Sequence, residues 1–235
     1  MLARLRTHPL FRALAPPAIE RLASSLKHCR VARGTTIFAK GDAGTGVMGV
    51  LAGSVKISVA SASGRDIVLN IIHPGEIFGE IALLDGHPRT ADATAMTDCE
   101  LVVIEHRDFV PVLRGEPELR LRFIEMLCER LRRTSEQIED MAFLHLPTRL
   151  AKTLLELSKA PAPTGKVAIT QHEISQIIGR SRESTNRQLR AWAKHGWIRL
   201  GRGRVSILRS EKLAEIAGED FEQRRHTRCQ GLGRV

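Results

Sequence analysis

From Pro117 to Leu144 the chain runs without a single glycine or internal proline, and this stretch constrains everything on either side of it. Ile124, Leu127, Leu131, Ile138 and Met141 step by three and four residues once Thr134 is counted with them, which is the seam of a heptad helix. Charged residues fill its other faces. A seam of this length predicts pairing with a second copy of the chain, hence a homodimer, and the polar Thr134 in its middle requires a partner for its hydroxyl. The helix also divides the sequence in two.

Ahead of the helix, residues 31 to 106 read as short strands punctuated by glycines. Val55, Ile57 and Val59 alternate with polar residues, and Ser63-Gly64-Arg65 reads as a hairpin turn leading into Ile67–Ile72. A turn-punctuated series of strands predicts a β-roll of jelly-roll type, with a short helix within residues 7 to 28 packed on it. The expected fold class is therefore α+β. Its boundaries are read as 1–116 for the β-roll, 117–146 for the dimerisation helix and hinge, 147–215 for a winged helix-turn-helix, and 216–235 for a basic, disordered tail.

The C-terminal reading rests on capping chemistry. Residues 146–160 form an amphipathic helix that the Pro-rich segment 160–165 ends. Thr170 followed three residues later by Glu173 is a capping box, Gly179 makes a turn, and Ser181 caps a second helix that runs to about His195. Trp197 to Ile207, with Gly-Arg-Gly-Arg at 201–204, reads as a two-stranded wing. A plain helical hairpin would not need Arg182, Asn186 and Arg187 gathered on the face opposite Leu189 and Trp192.

Charge agrees with this division. Of 36 Lys and Arg and 26 Asp and Glu, residues 1–146 hold 18 of each sign, so the net charge of +10 lies wholly in residues 147–235. One basic domain beside a neutral one points to a polyanion, and with a helix-turn-helix present the polyanion is duplex DNA. A membrane surface would call for a basic amphipathic helix with exposed apolar bulk, and no such segment is found. Without an apolar run of spanning length, and with Arg4, Arg6, His8 and Arg12 interrupting the amino-terminal stretch, the expected compartment is the cytoplasm. Cys29, Cys99, Cys128 and Cys229 are too scattered for a zinc site or a disulfide framework.

The segment FGEIALLDGHPRTADATA, residues 78–95, carries the anion chemistry. Gly79 lets backbone N–H groups approach an anion, Arg89 offers a forked cation, and Glu80 can accept from a sugar hydroxyl. This segment resembles the phosphate-binding cassette of cyclic-nucleotide-binding domains. Over residues 10 to about 210 the chain resembles the CRP/FNR regulators, in the cAMP receptor protein (catabolite activator) branch. The resemblance implies Gly79, Glu80, Ile81, Arg89, Thr90, Thr134 and Ser135 as ligand residues: Glu80 on the ribose 2′-hydroxyl, Arg89 and Thr90 on the cyclic phosphate, Thr134 on the base, and Ser135 on the base held by the partner subunit. Ser-Arg-Glu-Ser-Thr-Asn-Arg at 181–187 resembles that branch's recognition helix and makes base readers of Arg182, Glu183 and Arg187. The DNA-facing set is Thr170, Arg180, Ser181, Arg182, Glu183, Ser184, Asn186 and Arg187.

The likeness implies a transcription regulator switched by cAMP, reading a palindromic TGTGA-like site and contacting RNA polymerase. Thr90 stands where this branch usually carries Ser, and the Arg-Thr pairing looks like that of domains favouring cGMP, so cGMP is expected as a second ligand of comparable affinity. Arg180 and Asn186 replace smaller residues, and the loop 159–166 is shorter than the one through which relatives touch polymerase. No cofactor is expected. An iron–sulfur sensor needs an amino-terminal cysteine cluster that is missing here, and His73 beside Pro74 reads as a turn residue, not a haem ligand. An oxygenase would need two histidines and a carboxylate together, whereas His73, His87 and His106 are isolated. The remaining alternative is a constitutive architectural DNA-binding protein with a vestigial pocket.

Overall fold

The computed structural model describes residues 16–61, 66–158, 166–167 and 169–218. The hairpin turn at 63–65, the Pro-rich segment, residues 219–235 of the tail with Cys229, and residues 7–15 of the first helix lie outside these; the tail's expected start at 216 is corrected, because the last helix runs on to Ala217. Its residues pack as two compact units that meet in sequence between Thr134 and Ser135, with Asp66 and Ile67 grouped in the second.

The first unit opens with α1 (Pro16–Ser25), where the paired prolines set the first turn and Ala18, Ile19 and Leu22 form the buried face. Eight strands follow: β1 (Lys27–Val31), β2 (Thr36–Phe38), β3 (Gly46–Ala52), β4 (Val55–Ala60), β5 (Asp66–Ile72), β6 (Ile77–Phe78), β7 (Asp92–Ala95) and β8 (Cys99–Glu105). They build two four-stranded sheets, ordered β1-β8-β3-β6 and β2-β7-β4-β5. Alternation fixes the register: Val55 faces Ala95 and Ile57 faces Ala93, so small residues on β7 admit the branched ones on β4. Val50, Val55, Ile72, Phe78, Ala93, Cys99 and Leu101 close the space between the sheets. This is the expected β-roll.

Two short helices accompany the strands. α2 (Glu80–Asp85) lies between β6 and β7, and α3 (His106–Gly115) follows β8. No helix over 106–115 is apparent in the sequence, because Pro111 inside it masks the pair Phe109 and Val112, both buried. With Leu119 and Phe123 of α4 (Pro117–Phe143), these residues and α1 form a second core against one end of the roll.

α4 therefore carries two apolar stripes. Leu119 and Phe123 are buried and Leu127 packs beside them, whereas Ile124, Leu131 and Ile138, seven residues apart, stand 56%, 68% and 62% exposed.

The second unit contains α5 (Leu146–Ser158), β9 (Lys166–Val167), α6 (Gln171–Ile177), α7 (Arg182–Lys194), β10 (Ile198–Gly201), β11 (Arg204–Ile207) and α8 (Ser210–Ala217). Its core gathers Leu150 and Leu154 from α5, Ile174 from α6, Leu189 and Trp192 from α7, Val205 from β11 and Leu213 from α8, all at most 2% exposed. The wing has three strands, ordered β10-β11-β9, not the two predicted. β9 supplies only two residues, Val167 opposite Val205 and Lys166 opposite Ser206, too few to show a period in sequence. No helix among the described residues is long and apolar enough to cross a membrane.

Candidate ligand cavity and nucleic-acid interface

A cavity of about 330 Å³ lies wholly within the first unit. Its floor is the β6–α2 junction. Gly79 takes φ 82°, a left-handed conformation that a side chain disfavours, and a Cβ there would sit 2.5 Å from Arg89 Nη1. The chain can thus turn from strand into helix while the arginine passes directly over the turn.

Arg89 is 5% exposed. Its Nη1 donates to Gly79 O at 2.5 Å and its Nη2 to Gly46 O at 2.8 Å, while the guanidinium lies 4.3 Å from the centre of the Phe38 ring. Nε is buried and has no partner among the described residues. Burial pulls the guanidinium pKa below its ordinary value, and the nearby carboxylates of Glu80 and Asp42 oppose that shift. A buried arginine with donor capacity left over is a site for an anion.

Glu80 opens α2 and is 4% exposed. Its Oε1 accepts from Arg130 Nη1 at 2.5 Å, and Arg130 Nη2 also donates to Ile77 O. About two turns of α4 thereby reach the cavity: Leu127, Arg130, Leu131, Arg133 and Thr134 line it together with Ile57, Leu69 and Ile72. Thr134 Oγ1 donates to Arg130 O at 3.0 Å, so its proton is committed to the helix and its lone pairs remain to accept. Apolar walls, three arginines and one carboxylate suit a flat heterocycle attached to an anionic group.

Of the residues expected to meet a ligand, Gly79, Glu80, Ile81, Arg89, Thr90 and Thr134 all line this cavity. Ser135 does not; it is exposed on α4, in the second unit. Sequence reasoning missed Arg130 and Phe38. The signal for Arg130 was present, one helical turn before Thr134 on the same face. Phe38 lies 51 positions before Arg89 and nothing local connects them.

In the second unit the helix-turn-helix forms as its capping residues dictate. Thr170 Oγ1 accepts from Glu173 N at 3.1 Å and Glu173 Oε2 accepts from Thr170 N at 2.7 Å, completing the capping box. Gly179 takes φ 62° in the turn. Ser181 then caps α7, accepting from Ser184 N at 3.2 Å, and its hydroxyl donates to Ser184 Oγ at 3.0 Å. Thr170 and Ser181 thus act first as structural caps, with Ser184 bonded to the second of them. Thr185, Leu189 and Trp192 bury one face of α7 and leave Arg180, Arg182, Glu183, Arg187 and Arg190 exposed. Asn186 is half-buried, with Oδ1 shielded and unpartnered among the described residues, so it is less open to solvent than its arginine neighbours. Arg199, Arg202 and Arg204 stand exposed on the wing.

Comparison with known proteins agrees with both halves. A cyclic nucleotide-binding domain matches residues 28–116 and a Crp-like helix-turn-helix domain matches 148–216. The chain is 35% identical over 214 residues to the CRP-like cAMP-activated global transcriptional regulator of Mycobacterium tuberculosis, covering 88% of this chain and 96% of that one. It is 32% identical to the cyclic AMP receptor protein of Thermus thermophilus, covering 91% and 98%. Among solved structures, the c-di-GMP responsive global regulator CLP of Xanthomonas campestris superimposes with a TM-score of 0.73 at 26% identity, over 82% of this chain and 99% of that one.

Proposed function

The chain belongs to the CRP/FNR family of transcription regulators, and from that premise we propose that it is a homodimeric DNA-binding switch whose effector is cAMP, with cGMP as a weaker second ligand. The observation that carries the reading is the cavity in which Arg89 and Glu80, both nearly fully buried, face Thr134 across apolar walls. Arg89 and Thr90 would hold the cyclic phosphate, Glu80 the ribose hydroxyl, and Thr134 the adenine amino group. A volume near 330 Å³ accommodates one cyclic mononucleotide, whereas a cyclic dinucleotide is about twice that size and would spill from the opening.

The exposed stripe Ile124, Leu131 and Ile138 supports dimerisation through α4, which would bring Ser135 to the nucleotide of the partner subunit. Two copies of α7 would then read half-sites one duplex turn apart, about 34 Å, and hence a palindrome of TGTGA type. Because nucleotide touches α4 at Thr134, it can favour one packing of the paired helices over another, acting through its differential affinity for the two. Contact with RNA polymerase is part of the same reading.

The test is an electrophoretic mobility shift on a palindromic duplex with cAMP, with cGMP, with cyclic di-GMP and without nucleotide. Tight binding only with cAMP, and weakly with cGMP, is the expected result. Equal binding in all lanes would instead identify a constitutive architectural protein, and a response to cyclic di-GMP alone would reassign the effector.

A further inference from the structure

The turn that precedes α7 lies beside a second, buried group of charges. Arg149, in the first turn of α5, is 5% exposed, and its Nε and Nη2 are buried with no hydrogen-bond partner among the described residues. Burial lowers the pKa of this guanidinium, the charge of Arg180 lowers it further, and Asp140 opposes both. Yet Asp140 is already engaged, because its Oδ2 accepts from Lys152 Nζ, and Lys152 is itself 7% exposed. Two cations, Arg149 and Lys152, therefore share the Asp140 carboxylate, and Arg180 adds a third positive charge close to Arg149. A buried arginine is normally retained only when its forked donors are satisfied, and these are not.

Geometry places the missing charge. Gly179 stands against Met141, its hypothetical Cβ 3.3 Å from Met141 Cε, which brings the turn onto the end of α4, where the neighbouring Asp140 pairs with Lys152 of α5. Arg180 is exposed and immediately precedes Ser181, the cap of the 13-residue α7. An anion arriving from solvent would meet Arg180 and the positive amino end of α7 first, with Arg149 behind them.

We propose that Arg149 and Arg180, with the amino end of α7, form a binding site for one phosphate-class anion, filled by a backbone phosphodiester when α7 docks on DNA. The site rests on the DNA-binding reading above and adds to it a positioning role for Arg149, a residue that no motif assigns. Arg180 then fixes register on the backbone and reads no base.

Full-length protein with cAMP, as wild type, Arg149→Met, Arg180→Gln and the double variant, is titrated with cognate and scrambled duplexes across a salt series. In parallel, melting temperatures without DNA are compared in sodium phosphate and in sodium chloride of equal ionic strength. Each single variant should lose affinity about equally on both duplexes, and the slope of log K against log salt should fall by about one. The double variant should lose no more slope than either single, since one phosphate is shared. Phosphate should raise the wild-type melting temperature but neither variant's, and Arg149→Met should melt no lower than wild type in chloride, having shed an unpaired buried charge. Arg180→Gln is exposed and keeps the fold, so it decides the matter should Arg149→Met be damaged. An unchanged slope in Arg180→Gln, or a loss confined to the cognate duplex, would overturn the proposal. A phosphate-dependent melting shift with unchanged slopes would overturn the phosphodiester and assign the site to a free anion. If wild type bound no duplex at all, the DNA-binding reading would fall, and the melting arm alone would separate an anion site from none.

Discussion

Arg130 Nη1 lies 2.5 Å from Glu80 Oε1, so the carboxylate expected to receive a ribose hydroxyl is already held by a cation from the long helix. The pair joins α2 to α4 within the cavity wall, with side chains 19% and 5% exposed. Removing one partner strands the other. Arg130→Met should destabilise the first unit by about 3 kcal/mol, whereas Arg130→Met with Glu80→Gln should cost less than the sum of the two single changes. Urea unfolding of the four proteins gives the coupling directly, and additive losses would mean the contact contributes nothing.

Arg89 has two duties. It braces Gly79 O and Gly46 O besides facing the cavity, so Arg89→Ala should abolish cAMP binding and also lower stability by about 2–4 kcal/mol, short of unfolding a domain of ordinary stability. Calorimetry and urea melts read the two effects separately. A variant that keeps wild-type stability would show that the carbonyls do not depend on the guanidinium.

How far the sequence revealed this site depends on chain distance. Gly79, Glu80, Arg89 and Thr90 fall within twelve residues, and a loop that must cradle an anion places its donors in one short run, so the cassette is recognisable from the sequence alone. Arg130 and Phe38 reach the same cavity from 41 and 51 positions away from Arg89. Only the packing of α4 and β2 on the roll brings them there. Local chemistry likewise determines the helix-turn-helix, because Thr170, Gly179 and Ser181 act on backbone within three residues of themselves. The third wing strand and α3 stayed hidden for opposite reasons: two residues show no period, and Pro111 conceals a helix whose buried pair is otherwise well spaced.

The exposed stripe on α4 makes dimerisation testable. Ile124, Leu131 and Ile138 stand exposed among the described residues, and a charge placed in the seam would have to be buried on pairing. Leu131→Glu should give a folded monomer that no longer binds a palindrome. Sedimentation equilibrium at micromolar concentration checks it, and a wild type that is itself monomeric would remove the dimer.

On α7, Arg187 is exposed on the face opposite Leu189 and Trp192, where a fork can meet the O6 and N7 of guanine. Arg187→Ala should cost about 1–3 kcal/mol at one base pair and relax the choice there, leaving the salt dependence of binding nearly unchanged. Binding to a set of single-base variants of the half-site measures this. An equal loss on every sequence would make Arg187 a phosphate contact instead.

The choice of nucleotide turns on two threonine hydroxyls. Both cyclic nucleotides offer the same ribose and phosphate to Glu80 and Arg89, so discrimination falls to the base. Thr134 Oγ1 has its proton committed to Arg130 O and presents lone pairs to the cavity, which match the adenine amino group and oppose the guanine O6. Thr90 lines the same cavity and can donate to the phosphate while accepting from the guanine 2-amino group, which offsets part of that cost. We therefore expect cAMP to bind at least tenfold tighter than cGMP, about 1.4 kcal/mol, and less than a hundredfold tighter, about 2.7 kcal/mol. Thr134→Val should narrow the gap by weakening cAMP, and Thr90→Ser should widen it only if the rotamer that the Thr methyl enforces is what aims the hydroxyl at guanine. Calorimetry with both nucleotides on the three proteins decides: equal affinities in wild type would refute the role given to Thr134, and a gap beyond a hundredfold would remove Thr90 as a guanine contact.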